Sequence, residues 1–350
     1  MIRIIAWLCL WALPACGKKN GGDTPPGPPP VDTTGTKNDT LTGLIAATNN
    51  STKSIEVYDA GVKDWSKPEA LKYTWRPAVA SGFSTAETNG FGGGSDIRLR
   101  RVHAWGDSTF ISLTDTRMAA VISWPGAVRR WSLPIDGNLH AAEILPNGNV
   151  ALAASDGNWV RVYSASQGPN NANFVQYDLN AAHAALWDPT YNLLWVTGQD
   201  PVTAAHILTA LEISGTAAAP VLKEVTAYRS VLPTAWGHDV APYYGDVNRL
   251  WVSTNGGVYV YNKTSKTFVV APGGSNRTFV KAVGNTGANG LLVQTRADAN
   301  KSPTPAVACG LNGWATSTVD VYTPSGTLYT TRVAAGACFY KARVLIAQYQ

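Results

Sequence analysis

Four of the chain's five histidines fall at one point of an internal repeat: Val-His103-Ala-Trp, Leu-His140-Ala-Ala, Ala-His183-Ala-Ala and Gly-His238-Asp-Val. Each precedes a turn and an apolar run: FISLTD, NVALAAS, LLWVTG and RLWVST. From His140, His183 and His238 to the centre of the next run (Leu152, Trp195, Trp251) is 12, 12 and 13 residues, with a tighter turn after His103. Near neutral pH an imidazole is both a good metal ligand and a proton acceptor. On converging repeats, His103, His140, His183 and His238 predict a single site able to hold a divalent metal such as Zn. Without metal, one of them can abstract a proton alpha to a carboxylate while a lysine stabilises the developing charge. Two further repeats carry Phe279-Val-Lys281-Ala and Phe339-Tyr-Lys341-Ala at the matching place. With each Phe aligned to a His, strand alternation sets Lys281 and Lys341 one layer deeper on the same axis. Tyr243, Tyr244 and Tyr340 are candidate acids by position. A joint role explains the same phase, because a histidine at a blade junction can hydrogen-bond the neighbouring blade's backbone. Asp239 is expected to face away from His238, and His206, out of phase, to be structural.

The elements that would position these side chains are short strands. Period-two apolar runs of four to eight residues recur through the domain, broken by Asn-Gly, Asp-Gly, Gly-Gly and Pro-Gly turns. The clearest unit reads HAAEIL, a Pro-Asn-Gly-Asn turn, NVALAAS, WVRVYSAS and NFVQYDL: four strands in about 42 residues, the size of a propeller blade. The blade before it reads HAWG, TFISLT, AAVISWP and VRRWSL, so HAWG is expected to be its inner strand. The N-terminal strands GLIAATN, SIEVYDA and LKYTW lack a first member, and the C-terminal CFYKARVLIAQY supplies one. The predicted fold is therefore all-β: a six-bladed propeller of four-stranded antiparallel blades over 42–350, with the first blade closed by the C-terminal strand.

Ahead of the propeller, the apolar stretch Ile4 to Ala15 is too short to span a bilayer and fits a signal peptide over 1–15. Leu13-Pro14-Ala15-Cys16 resembles a bacterial lipobox, which implies acylation at Cys16 and, with Gly17 following, an outer-membrane lipoprotein facing the periplasm or the cell surface. Residues 16–41 are rich in Pro, Gly and Thr and read as a tether. The formal charge of +5 is dispersed, with no basic stripe, so nucleic acid is not an expected partner. Contact with a membrane is expected only through the lipid, and the molecule is expected to be a monomer. Cys309 and Cys338 are the remaining pair in an exported domain and are expected to form a disulfide, with two thiols or a metal site as alternatives. No Gly-x-Ser-x-Gly elbow, P-loop, dinucleotide fingerprint or HExxH is present. The glycine-rich GFGGGSD at 90–96 reads as a flexible loop.

LIAATNNSTKSIEVYDA, the paired Trp65 and Trp75, and the His-Ala-Ala blades resemble an uncharacterised family of bacterial secreted and lipoprotein propellers. The blade pattern also resembles, more distantly, lactonase-like propellers, and the axial His, Tyr and basic residues are similar to those of propeller lyases acting on acidic polysaccharides. The histidine arc with Lys281 and Lys341 suits an anionic ligand such as the carboxylate of an oligo- or polysaccharide, or a metal ion with an anionic substrate beside it, in a His-lined axial pocket; the likeness to the lyases implies lyase-type cleavage there. The alternative is a non-catalytic glycan- or protein-binding scaffold.

Overall fold

The computed structural model describes residues 41–288 and 290–350. The signal segment, Cys16 and the tether up to residue 40 lie outside the described residues. Six antiparallel sheets follow one another along the chain, each ordered from an inner to an outer strand. Five have four strands; the fourth blade adds a short fifth, Ser230–Val231, on its third strand. The inner strand of the first blade is the C-terminal Phe339–Val344, paired with Leu44–Asn49, so the ring closes without a free edge.

Blade three shows why these sequences make blades. Its inner strands Leu139–Ile144 and Val150–Ala154 are buried along nearly their whole length, whereas the outer strand Phe174–Asp178 alternates exposed and half-buried. Ala141, Ala142, Ala151, Ala153 and Ala154 are almost wholly buried, and such small residues let adjacent sheets approach closely. Larger side chains fill the gaps between blades: Trp131, Trp159 and Tyr163 pack in the core between blades two and three, and Trp187 with Leu194 between three and four. Most tryptophans are thus packing residues.

Two long connections resolve into fixed structure. Between blades one and two, a helix over Thr85–Gly90 starts at Ser84, whose hydroxyl accepts from Glu87 N while the Glu87 carboxylate accepts from Ser84 N. In blade six the segment after Leu292–Arg296 is joined by the Cys309–Cys338 disulfide to the start of the last strand.

Blade two corrects the expected alignment. Its inner strand is Asp96–Val102, and His103–Trp105 is a single 3-10 turn leading into Ser108–Asp115. HAWG therefore follows the inner strand instead of forming it. At that same end of the ring, the final residues cross the ends of the inner strands. Arg101 N donates to Ala347 O at 3.0 Å, Tyr244 Oη to Gln348 O at 3.2 Å and Tyr349 Oη to Ile144 O at 2.6 Å.

Candidate functional site

The opposite end of the ring opens into an axial cavity of ≈ 510 Å³, within the range of small-molecule sites. Its lining includes His140, His183, His238, Lys281 and Tyr340, each near the start of an inner strand, and Ser95, just before the inner strand of blade two. A repeated backbone device aims them. Two positions before the ring residue, blades three to six place a residue in the left-handed region: Asn138 (φ 56), Ala181 (φ 48), Trp236 (φ 62) and Phe279 (φ 59). Such a conformation is uncommon for non-glycine residues and persists where surrounding structure fixes it. The inner strand then bulges. Leu139 pairs with Ala154 and Ala141 with Ala153, so His140 is the extra residue; His238 and Lys281 are extra in the same way, and a wider irregularity holds His183. In blade one Tyr340 and Lys341 together oppose Thr48. Bulges re-aim side chains, here toward the axis. Blade two has no bulge and reaches the ring through Gly93 and Gly94 (φ 111 and 91); a Cβ at Gly93 would lie 2.2 Å from Asn49 O.

The three imidazoles gather closely. His140 stacks on His183 with centroids 4.1 Å apart and planes at 16°, and His183 meets His238 edge-on at 5.5 Å. His183 Nδ1 donates to Ala181 O at 2.8 Å, which leaves Nε2 as the acceptor. Tyr340 Oη lies 3.0 Å from His140 Nδ1, and burial pushes its hydroxyl pKa up, so it keeps its proton and donates. His238 Nε2 is 2.6 Å from Asn255 Oδ1 and 3.1 Å from Lys281 Nζ. A neutral Nε2 either donates to the amide oxygen or accepts from the ammonium. Among the described residues Lys281 Nζ has no other hydrogen-bond partner, and the residue lines the cavity.

Burial disfavours the charged imidazolium at all three positions; nearby lysines add to it at each, and neighbouring imidazoles add to it at His140 and His238. His140 and His238 are held well below the ordinary histidine range, and His183 is lowered to about 4. The rings are neutral at pH 7. Burial, helped by the nearby Lys341, brings Lys281 down to about 8, so it remains mostly protonated at neutral pH. Among the described residues no carboxylate lies within ion-pair distance of Lys281.

Beneath the ring the axis is filled by buried charge. Arg343 donates to Asp96 Oδ1 at 2.7 Å and to both Asp239 oxygens at 2.9 and 2.6 Å. Arg98 lies 3.6 Å from Asp96 and Asp239 and 3.8 Å from Glu143, and Arg100 grips Glu143 in a bidentate pair at 2.7 and 2.9 Å. Lys341 Nζ donates to His140 O at 2.9 Å and is 3.9 Å from Asp239. Burial raises the pKa of Asp96, but Arg343, Lys341 and Arg98 outweigh it and hold that carboxyl at about 2; Asp239 is lowered by the same cations. Four cations face three carboxylates, so the floor under the ring is net positive.

The structure brings His140, His183, His238 and Lys281 together and excludes His103. That side chain is 87 % exposed, bonds Asp107 and sits on the turn whose Ala104 N donates to Pro146 O, at the far end of the ring. Its place in the repeat is one strand length late. The expected four-histidine metal centre is corrected accordingly: among the described residues no three His, Cys, Asp or Glu side chains are arranged to hold a metal ion. Lys281 lies in the histidine layer and not below it, because Phe279 falls before the strand and Lys281 is the bulged residue. Lys341 does lie deeper and is wholly buried in the charged floor. Asp239 turns inward beside His238, since the bulge breaks the alternation that would point it away. Tyr243 and Tyr244 are remote, Tyr243 stacking on Trp251 and Tyr244 reaching the C-terminal tail; Tyr340 is the ring tyrosine. His206 packs against Trp236. The glycine-rich loop is fastened to the rim: Gly92 N and Gly94 N donate to Asp115, and Asn50 Nδ2 to Gly92 O and Gly94 O. Sequence reasoning missed Ser95, Asn255 and Trp314; only Ser95 carried a signal, as the residue just before an inner strand.

Residues 131–299 match the model of DUF6528, a family of unknown function. The DUF6528 match takes in His140, His183, His238 and Lys281 but stops short of Tyr340. No curated protein matches the chain. A solved structure of a protein of unknown function from Bacteroides caccae matches with a TM-score of 0.55 at 10 % identity, covering 86 % of this chain and 98 % of that one. At that identity the likeness shows the fold alone, and a fold shared by 775 matching chains does not select a function.

Proposed function

We propose that the chain is a lipid-anchored outer-membrane propeller whose axial pocket binds an anionic saccharide through its carboxylate. The observation carrying this reading is Lys281: a half-buried ammonium, free of any described carboxylate, at the wall of a cavity lined by neutral imidazoles over a net-positive floor. An ammonium–carboxylate contact in such a place is a charge-assisted hydrogen bond, and the neutral histidines and Tyr340 supply hydrogen bonds for hydroxyls. The test is calorimetric titration of the purified protein with uronate oligosaccharides. Wild type should bind, Lys281→Gln should lose at least tenfold in affinity, and a neutral oligosaccharide should not bind. Equal affinity in Lys281→Gln would remove the carboxylate reading. Anchoring through Cys16 is tested separately: labelled fatty acid should enter the wild type and not Cys16→Ser.

One observation favours cleavage as well as binding. His183 offers an unshared Nε2 in a neutral ring, while Tyr340 is a protonated donor beside His140. In a β-elimination, His183 takes the proton alpha to the carboxylate. The electron pair of that C–H bond forms the new C=C bond as the β C–O bond breaks, and a proton from Tyr340 goes to the departing oxygen. Lys281 stabilises the charge gathering on the carboxylate. Ultraviolet absorbance of the unsaturated uronate reports this directly; binding without any rise in absorbance leaves a saccharide-binding propeller.

A further inference from the structure

We propose that Trp314 forms a second sugar subsite at the rim of the axial pocket, its indole stacking on the pyranose ring next to the unit whose carboxylate Lys281 holds. This rests on the axial-pocket reading and deepens it, because it makes the ligand an oligosaccharide rather than a small anion. Trp314 borders the cavity yet is 50 % exposed, and among the described residues it stacks on no other aromatic ring. Most other tryptophans of the propeller are packed away, so its large apolar face is left to solvent without serving the core.

The loop carrying it is held rigid. Cys309 is bonded to Cys338, and the buried Asp298 carboxylate accepts from Cys309 N at 2.9 Å, Ser317 N at 3.0 Å and Thr316 Oγ1 at 2.5 Å. Ala299 N donates to Asn312 O at 3.0 Å, and the next residue after the indole, Ala315, is fully buried. An aromatic platform already fixed in place loses little freedom on binding, which is what pre-organised sites use to gain affinity. The flat indole face suits the C–H face of a pyranose, while a phosphate or a lone acetate offers nothing to cover it. Lys281 and Trp314 line one cavity, so one ligand of two or more sugar units can meet both.

The experiment compares monomers and trimers of galacturonate, glucuronate and mannuronate by calorimetry on the full chain. For the uronate that binds best, the wild-type trimer should bind about tenfold tighter than its monomer. That is the ~1.4 kcal/mol expected from covering roughly 55 Å² of apolar surface at ~25 cal/mol per Å². Trp314→Ala should leave monomer affinity within about twofold and remove the trimer's advantage; Trp314→Phe should keep most of it. Trimer, but not monomer, should also change tryptophan fluorescence in the wild type and not in Trp314→Phe, which reports the subsite even if Trp314→Ala folds poorly. A Trp314→Ala protein with an unchanged melting temperature and an intact trimer advantage would overturn the subsite while the axial reading stands. No binding of any uronate by wild type would overturn both.

Discussion

Asp239→Asn tests the charged floor that closes the pocket. The carboxylate accepts two hydrogen bonds from Arg343 and one from Val283 N at 3.1 Å, with Arg98 and Lys341 within 4 Å. The amide keeps the volume and one acceptor but removes the charge. Arg343, Arg98 and Lys341 are then left, fully buried, with fewer anions than they need. Breaking a buried pair from one side costs about 3–5 kcal/mol, because the remaining charge is uncompensated. With an unfolding entropy of ~2.1 cal/mol/K per residue and about 300 ordered residues, that corresponds to a fall of roughly 5–8 °C in melting temperature. Differential scanning calorimetry at pH 7 measures it. Asp136→Asn is the control: that residue is 94 % exposed, lies 4.0 Å from Arg117, and should change nothing measurable. A drop below about 2 °C for Asp239→Asn would refute the argument that the floor is an interdependent buried ion network.

Uronate affinity should hold steady between about pH 5.5 and 7 and fall as pH rises through about 8, where Lys281 loses its proton, and Lys281→Gln should flatten that upper limb in calorimetric titrations. His140, His183 and His238 are depressed below their unfolded values, so the unfolded chain binds more protons below pH ~6.5 and stability should decline from there toward pH 4. The depressed Asp96 and Asp239 add a further loss below pH ~4; His183→Asn should reduce the first part of this loss in a melting-temperature series. Cys338→Ser opens a loop of sequence separation 29 and should destabilise by about 3–4 kcal/mol in the chain-entropy picture, read as a shift in denaturant midpoint. Ending the chain at Gly336 removes the inner strand of blade one and should abolish cooperative melting; a soluble, cooperatively melting product would contradict the closure.

The ring was legible because blades repeat. The apolar runs, the Asn-Gly and Asp-Gly turns and the unmatched C-terminal strand together specify six sheets and their closure. His140, His183 and His238 were legible for the same reason, each being followed at a fixed distance by the next strand. His103 is the exception: in sequence its tighter turn looks like a variant of the same junction, whereas it is the turn at the other end of an inner strand that begins with Asp96. Lys281 and Asp239 were misplaced because ideal alternation cannot anticipate a bulge. The bulge follows a left-handed residue that is Asn, Ala, Trp or Phe in successive blades, and only the asparagine is a type that favours this conformation. Trp314 left no trace, since its position depends on a loop fixed by a disulfide and by Asp298, contacts without a local pattern.

The role proposed for Lys281, among neutral imidazoles, is to hold the carboxylate of a saccharide. A crystal structure of the protein with a bound uronate oligosaccharide tests it most directly. A carboxylate oxygen is expected about 2.7–2.9 Å from Lys281 Nζ, with His183 Nε2 and Tyr340 Oη facing the same sugar. A ligand bound with its carboxylate turned away from Lys281, or seated on another part of the ring while the axial pocket holds only solvent, would contradict it.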